Sequence, residues 1–124
     1  MWLLAVVPAS AVELTGTQIK ELISGNSVHL QTTAASVTGA PGQGVIYYDA
    51  DGNARYKTPT GAVWHGTWAI KDNSACLSWK ETARNDCVKY SRQGEIIAIL
   101  NAVTGETRAK VLKITTGNTE KIIP

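Results

Sequence analysis

The chain predicts a mainly β fold, an antiparallel up-and-down sheet that curls into a small barrel behind a single N-terminal helix. Three observations carry this. From Asn26 onward short segments alternate apolar and polar residues, the period of half-buried strands. Turn residues punctuate those segments about every ten positions, the spacing of a meander. Helical spacing is confined to one segment near the N-terminus.

That helix is expected over residues 14–25. Thr15 and Gln18 form a capping box, with Leu14 and Ile19 at the flanking staple positions. Ile19, Leu22 and Ile23 make one apolar stripe, Lys20 and Glu21 face water, and Gly25 supplies the left-handed residue after the last turn. Its expected role is to cover one end of the β-structure.

The strands follow in order. Residues 27–31 alternate as a first strand, and residues 32–44, rich in Thr, Ala, Ser and Gly with Pro41 among them, form a long loop. Residues 45–48 and 54–57 flank Asp49-Ala50-Asp51-Gly52-Asn53 as a hairpin, Gly52 or Asn53 taking the positive φ. In residues 63–70, Trp64, Gly66, Trp68 and Ile70 share one face, and the glycine between two indoles suits a close strand crossing. Lys71-Asp72-Asn73 turns the chain into a second hairpin, residues 75–79 against 87–90. With Cys76 opposite Cys87, Ala75 meets Val88 and Trp79 meets Arg84. Leu77, Trp79, Val88 and Tyr90 then gather on the side away from the sulfurs. Strands over residues 96–100 and 107–115 complete the set, with turns at Gly94 and at Thr104-Gly105.

A chain of 124 residues, 44% hydrophobic, supports one core and one domain. The net charge is +2 and no basic run appears, so neither disorder nor nucleic-acid binding is expected. Residues 1–11 read as a signal peptide. They carry no charge, run through Trp2-Leu3-Leu4-Ala5-Val6-Val7, and end on an Ala9-Ser10-Ala11 cleavage pattern. The positive n-region is missing, which fits a leader beginning further upstream. Residues 12–124 are then the mature domain, periplasmic or extracellular, with no stable membrane insertion.

Export gives the two cysteines a meaning. Oxidising compartments favour a disulfide, here Cys76–Cys87, and closing so short a loop stabilises by roughly 3 kcal/mol on the chain-entropy view. A zinc site would have to recruit both histidines, His29 and His65, and a catalytic thiol would need a reduced cysteine beside a base.

Enzyme signatures are lacking: there is no Gly-x-Ser-x-Gly elbow, no His-Glu-x-x-His and no phosphate loop. Asp49 and Asp51 resemble the start of a calcium loop, but Thr60 stands where the bidentate Glu belongs. His65 shares a face with Val63 and has no acidic neighbour in sequence, which reads as a structural histidine. No catalytic residue, cofactor or metal is expected.

Taken together, the residue 14–25 helix, Tyr48 with Asp51-Gly52, Gly66-Thr67-Trp68, Cys76 with Trp79, and Cys87 resemble a family of small secreted bacterial proteins, domain of unknown function number 995. That resemblance implies an exported bacterial β-domain and no activity. Gly66-Thr67-Trp68 is also similar to the Gly-x-Trp element of lipocalins, which implies a lipocalin-like barrel; there the element lies on the first strand, whereas three strands precede it here. Periplasmic metalloprotease inhibitors look similar in size, disulfide and Gly-x-Trp element. In them a mobile N-terminal segment enters the protease.

Two functions are therefore expected. The first is a non-catalytic binding module whose sheet presents Trp64, Trp68, Trp79, Tyr48 and Tyr56 around an apolar site for a small apolar or aromatic ligand. The second is a protein inhibitor of a secreted or envelope hydrolase, built on a stapled scaffold with the residue 32–44 loop.

Overall fold

In the computed structural model, which describes residues 11–82 and 84–122, the elements are β1 (Val12–Glu13), α1 (Gly16–Ile23), β2 (Asn26–Thr32), β3 (Gly42–Tyr48), β4 (Asn53–Lys57), β5 (Val63–Lys71), β6 (Ser74–Trp79), β7 (Arg84–Gln93), β8 (Ile96–Asn101) and β9 (Thr107–Thr116). The signal-peptide reading concerns residues that, apart from Ala11, lie outside those described.

From β2 to β9 each strand pairs antiparallel with the next, and β9 returns to pair with β2. The result is a closed eight-stranded barrel. Closure removes the unpaired edges that an open sheet exposes. Inward positions supply one core, among them Val28, Leu30, Ile46, Tyr48, Tyr56, Leu77, Trp79, Val88, Tyr90 and Ile99. The disulfide hairpin takes the expected register: Cys76 faces Cys87, Ala75 faces Val88 and Trp79 faces Arg84. The sulfurs are bonded.

The helix begins as expected. Gln18 N–H donates to Thr15 Oγ1 at 3.2 Å, and Thr15 N–H donates to Gln18 Oε1 at 2.8 Å. Gly25 follows with φ 74°. Ile19 and Ile23 are fully buried, each contributing about 1.5–3 kcal/mol relative to exposure. The helix packs against β2, β5 and β6 and closes the barrel end where β2, β4, β6 and β8 begin. Gly16 sits so close to β5 and its turn that a Cβ there would come within 2.8 Å of Ile70 Cγ2, while its N–H donates to Asn73 Oδ1 at 2.7 Å.

Two features depart from simple alternation. The segment before the helix is a strand: Val12 pairs with Arg92 and Glu13 with Ser91. It forms because β7 outruns β6. Pairing to β6 covers Arg84 to Val88, and the edge beyond would otherwise lie bare. Strand β9 also carries two bulges. Against β2 the register jumps from His29–Lys113 to Leu30–Val111, which leaves Leu112 over. Against β8 it jumps from Ile99–Ala109 to Leu100–Thr107, which leaves Arg108 over. A bulge re-aims the extra side chain. Leu112 is 47% exposed, whereas Arg108 is buried.

Candidate functional site

The barrel end opposite the helix is covered by residues 33–41, the connection between β2 and β3. Hydrogen bonds hold it down. Thr33 N–H donates to the Arg108 carbonyl at 2.9 Å, Thr33 Oγ1 donates to the Thr107 carbonyl at 2.8 Å, and Thr32 Oγ1 donates to the Ala40 carbonyl at 2.8 Å. Val37, at the middle of the segment, packs down on the core. The long loop is thus a lid with an apolar side chain turned inward.

Beneath it lies a cavity of about 50 Å³. Leu30, Ile46, Leu77, Val88 and Ile99 line its sides, Val37 its roof, and Tyr48, Tyr56 and Trp79 its aromatic wall. The Trp79 and Tyr56 ring centroids stand 5.8 Å apart, and Trp64 packs on both, edge-on to Tyr56 at 5.7 Å and 6.1 Å from Trp79. Gly44 makes the Tyr56 ring possible, because a Cβ there would meet Tyr56 Cε1 at 2.8 Å. Burial pushes the Tyr56 hydroxyl pKa up to about 12, so this wall is uncharged.

Of the expected ligand-binding residues, Tyr48, Tyr56 and Trp79 therefore meet at one cavity, and Trp64 stands behind two of them. Trp68 does not join them. Its ring lies edge-on to Tyr48 at 5.6 Å, and its Nε1–H donates to the Asp49 carbonyl at 2.8 Å. That places it at the helix-capped end.

Two residues outside the expected set give the cavity its polarity. Arg108 and Asp86 both line it, and Arg108 Nη1 donates to Asp86 Oδ2. The Arg108 side chain is 10% exposed and that of Asp86 14%. Arg108 Nε is buried without a hydrogen-bond partner, a state that costs on the order of 1–3 kcal/mol. Asp86 could have been found from the sequence. The register that sets Cys76 against Cys87 sets Leu77 against Asp86, so Asp86 shares the inward face. Arg108 could not, because the bulge that turns it inward leaves no trace in the alternation.

Other chemistry-bearing groups lie away from this cavity. His65 has an acidic neighbour that its local sequence does not show. The Glu81 carboxylate accepts from the His65 N–H at 2.6 Å and lies 2.8 Å from Nδ1. Desolvation raises the Glu81 pKa, but these hydrogen bonds outweigh it and hold the carboxyl below its usual range. His29 on β2 bonds Thr115 Oγ1 through Nε2 at 3.1 Å. Asp49 and Asp51 accept from the N–H groups of Asp51 and Asn53, fastening the hairpin turn in which Gly52 has φ 100°. Among the described residues no cluster of three His, Cys, Asp or Glu could hold a metal ion, and no helix is long and apolar enough to cross a membrane.

Compared with models of known protein families, with curated proteins and with solved structures, the chain matches none.

Proposed function

We propose that the protein is a non-catalytic binding module, exported to the periplasm or extracellular space, that holds a small and largely apolar ligand beneath the residue 33–41 lid. The observation that supports this most directly is the cavity itself: apolar and aromatic walls, with charge confined to the Arg108–Asp86 pair. Ligand sites combine such walls with a few placed polar groups. The Cys76–Cys87 disulfide supports export, since such bonds persist in oxidising compartments.

Size defines how binding works. A volume of about 50 Å³ holds a few waters at roughly 10–15 Å³ each, far below the ~300 Å³ of a typical drug-sized site. Room for a larger ligand comes from lifting Val37 off the core, which makes the lid the proposed entrance. The inward packing of Val37 also favours this reading over inhibition of a hydrolase, which calls for a loop that offers its apolar side chain to a partner.

The test is titration of the purified protein with lipids, haems and aromatic compounds, following tryptophan fluorescence and melting temperature. Trp79 and Trp64 report on the cavity, so a ligand bound there shifts emission and raises the melting temperature together. Flat responses across the panel, with a stoichiometric protein partner recovered from envelope extract, would replace this reading with the inhibitor.

A further inference from the structure

On the outer face of the barrel, four neighbouring strands place one residue each in a single lateral row. His29 on β2 pairs with Lys113 on β9 and with Val45 on β3, and Val45 pairs with Lys57 on β4. The two lysines thus stand three strand spacings apart, about 14 Å along the sheet, and their long side chains reach toward the space between. There the surface dips into a groove of about 410 Å³, within the roughly 300–1,000 Å³ range of small-molecule sites.

The groove joins apolar surface to positive charge. Val45 and Pro59 are half-buried in its lining. Leu112 joins them because the β9 bulge turns this extra residue outward, where it stays 47% exposed. Lys57 and Lys113 are exposed, and neither takes part in an ion pair among the described residues. Glu120 is the one carboxylate in the lining, 4.0 Å from His29 Nδ1. Burial, then Lys113, lowers the His29 pKa against the pull of Glu120, so the positive field reaches the groove floor.

We propose that this outer groove binds a small anionic amphiphile, a carboxylate on a short apolar body. The head lies between Lys57 and Lys113, and the body covers Val45, Pro59 and Leu112. The lysines supply the attraction, and the bulge supplies the apolar contact by holding a leucine outside the core. Glu120 is a built-in competitor, since its carboxylate shares the rim with the incoming head. The groove lies on the opposite face of the wall from the interior cavity, so the inference goes beyond the binding-module reading and does not depend on it.

The probe is octanoate, titrated into the disulfide-intact protein at neutral pH by calorimetry and by proton NMR of the two imidazoles, assigned with H29Q. Octanoate should bind and move the His29 signals. K57Q/K113Q should weaken that binding about tenfold, the ratio two exposed charge contacts together supply, and E120Q should tighten it. All three substitutions fall at exposed positions, so the fold is kept. Octanol is the control: it lacks the charge, and its binding, which belongs to the interior cavity, should be the same in K57Q/K113Q as in wild type. The inference is overturned if octanoate fails to bind at millimolar concentration, leaves the His29 signals in place, or binds K57Q/K113Q as tightly as wild type. Each of these results spares the binding-module reading, which the tryptophans of the cavity test separately.

Discussion

The hydroxyls of Tyr48 and Tyr90 meet 3.2 Å apart in the barrel interior, and neither side chain touches solvent to any useful extent. Tyr48 comes from the end of β3 and Tyr90 from the far half of β7, on opposite walls of the closed sheet. Their bond ties the two walls together below the cavity. Y90F removes one partner and strands the other hydroxyl, which should destabilise the protein by about 1–2 kcal/mol, measured from denaturant midpoints. Burial raises both pKa values, that of Tyr90 to about 12. For an acid whose folded pKa is raised, the stabilisation is complete below the unfolded value near 10 and lost as pH rises through the folded one. Melting temperature should therefore fall across that alkaline window, and phenolate absorbance of the pair should appear only with unfolding.

Acid acts through His29. Burial, then the nearby Lys113, lowers its pKa, with Glu120 opposing them. Because the folded state prefers the neutral ring, this contribution is present above the unfolded pKa near 6.5 and disappears as pH falls through the lower folded value. The melting temperature of the wild type should drop over that interval, and H29Q should flatten that part of the curve.

Gly66 is required by space rather than by turn geometry. It pairs with Trp79 across β5 and β6, and a Cβ at this position would overlap the Ser78 carbonyl oxygen. G66A must push the two strands apart, and overpacking of this kind costs about 1–3 kcal/mol. A denaturant midpoint indistinguishable from wild type would show that the backbone yields more easily than its packing implies.

The lid offers a kinetic handle. V37A removes a side chain that packs over the cavity, at a stability cost of about 1 kcal/mol for a half-buried valine. Stopped-flow fluorescence with a bound ligand should then show faster association and faster release. Unchanged rates would mean that ligand enters by another route.

Much of this fold could be read from the residues, because each local signal agreed with the global one. The Thr15–Gln18 cap, the turn at Asp72-Asn73 with φ of 47° and 60°, and the Cys76–Cys87 register are all decided by neighbours close in sequence. Closure of the barrel was less accessible, since β2 and β9 meet only across the full chain. The site was legible in part. Aromatic alternation located Tyr56 and Trp79, yet it also nominated Trp68, which shares the inward face but lies nearer the other end. A face says nothing about depth along the barrel. Arg108 escaped because the bulge that turns it inward arises from how β8 and β9 pair, not from any pattern within β9 itself.

Removing the disulfide, by reduction or as C76A/C87A, should cost about 2–4 kcal/mol, read as the shift in denaturant midpoint with and without reductant. Export predicts that native material also lacks Met1 and resists alkylation of both sulfurs until reduced, which mass spectrometry checks.

The position of that bond matters as much as its strength. It clamps β6 to β7 one pair short of the point where the strands part, at Ala75 and Val88, and β1 then takes over the same margin of β7 from Glu13 onward. A fork in a fabric tears from its crotch, and here the crotch is riveted. The N-terminal arm could peel from the wall, carrying the helix with it, while the rip stopped at the sulfur link and the rest of the weave stayed whole.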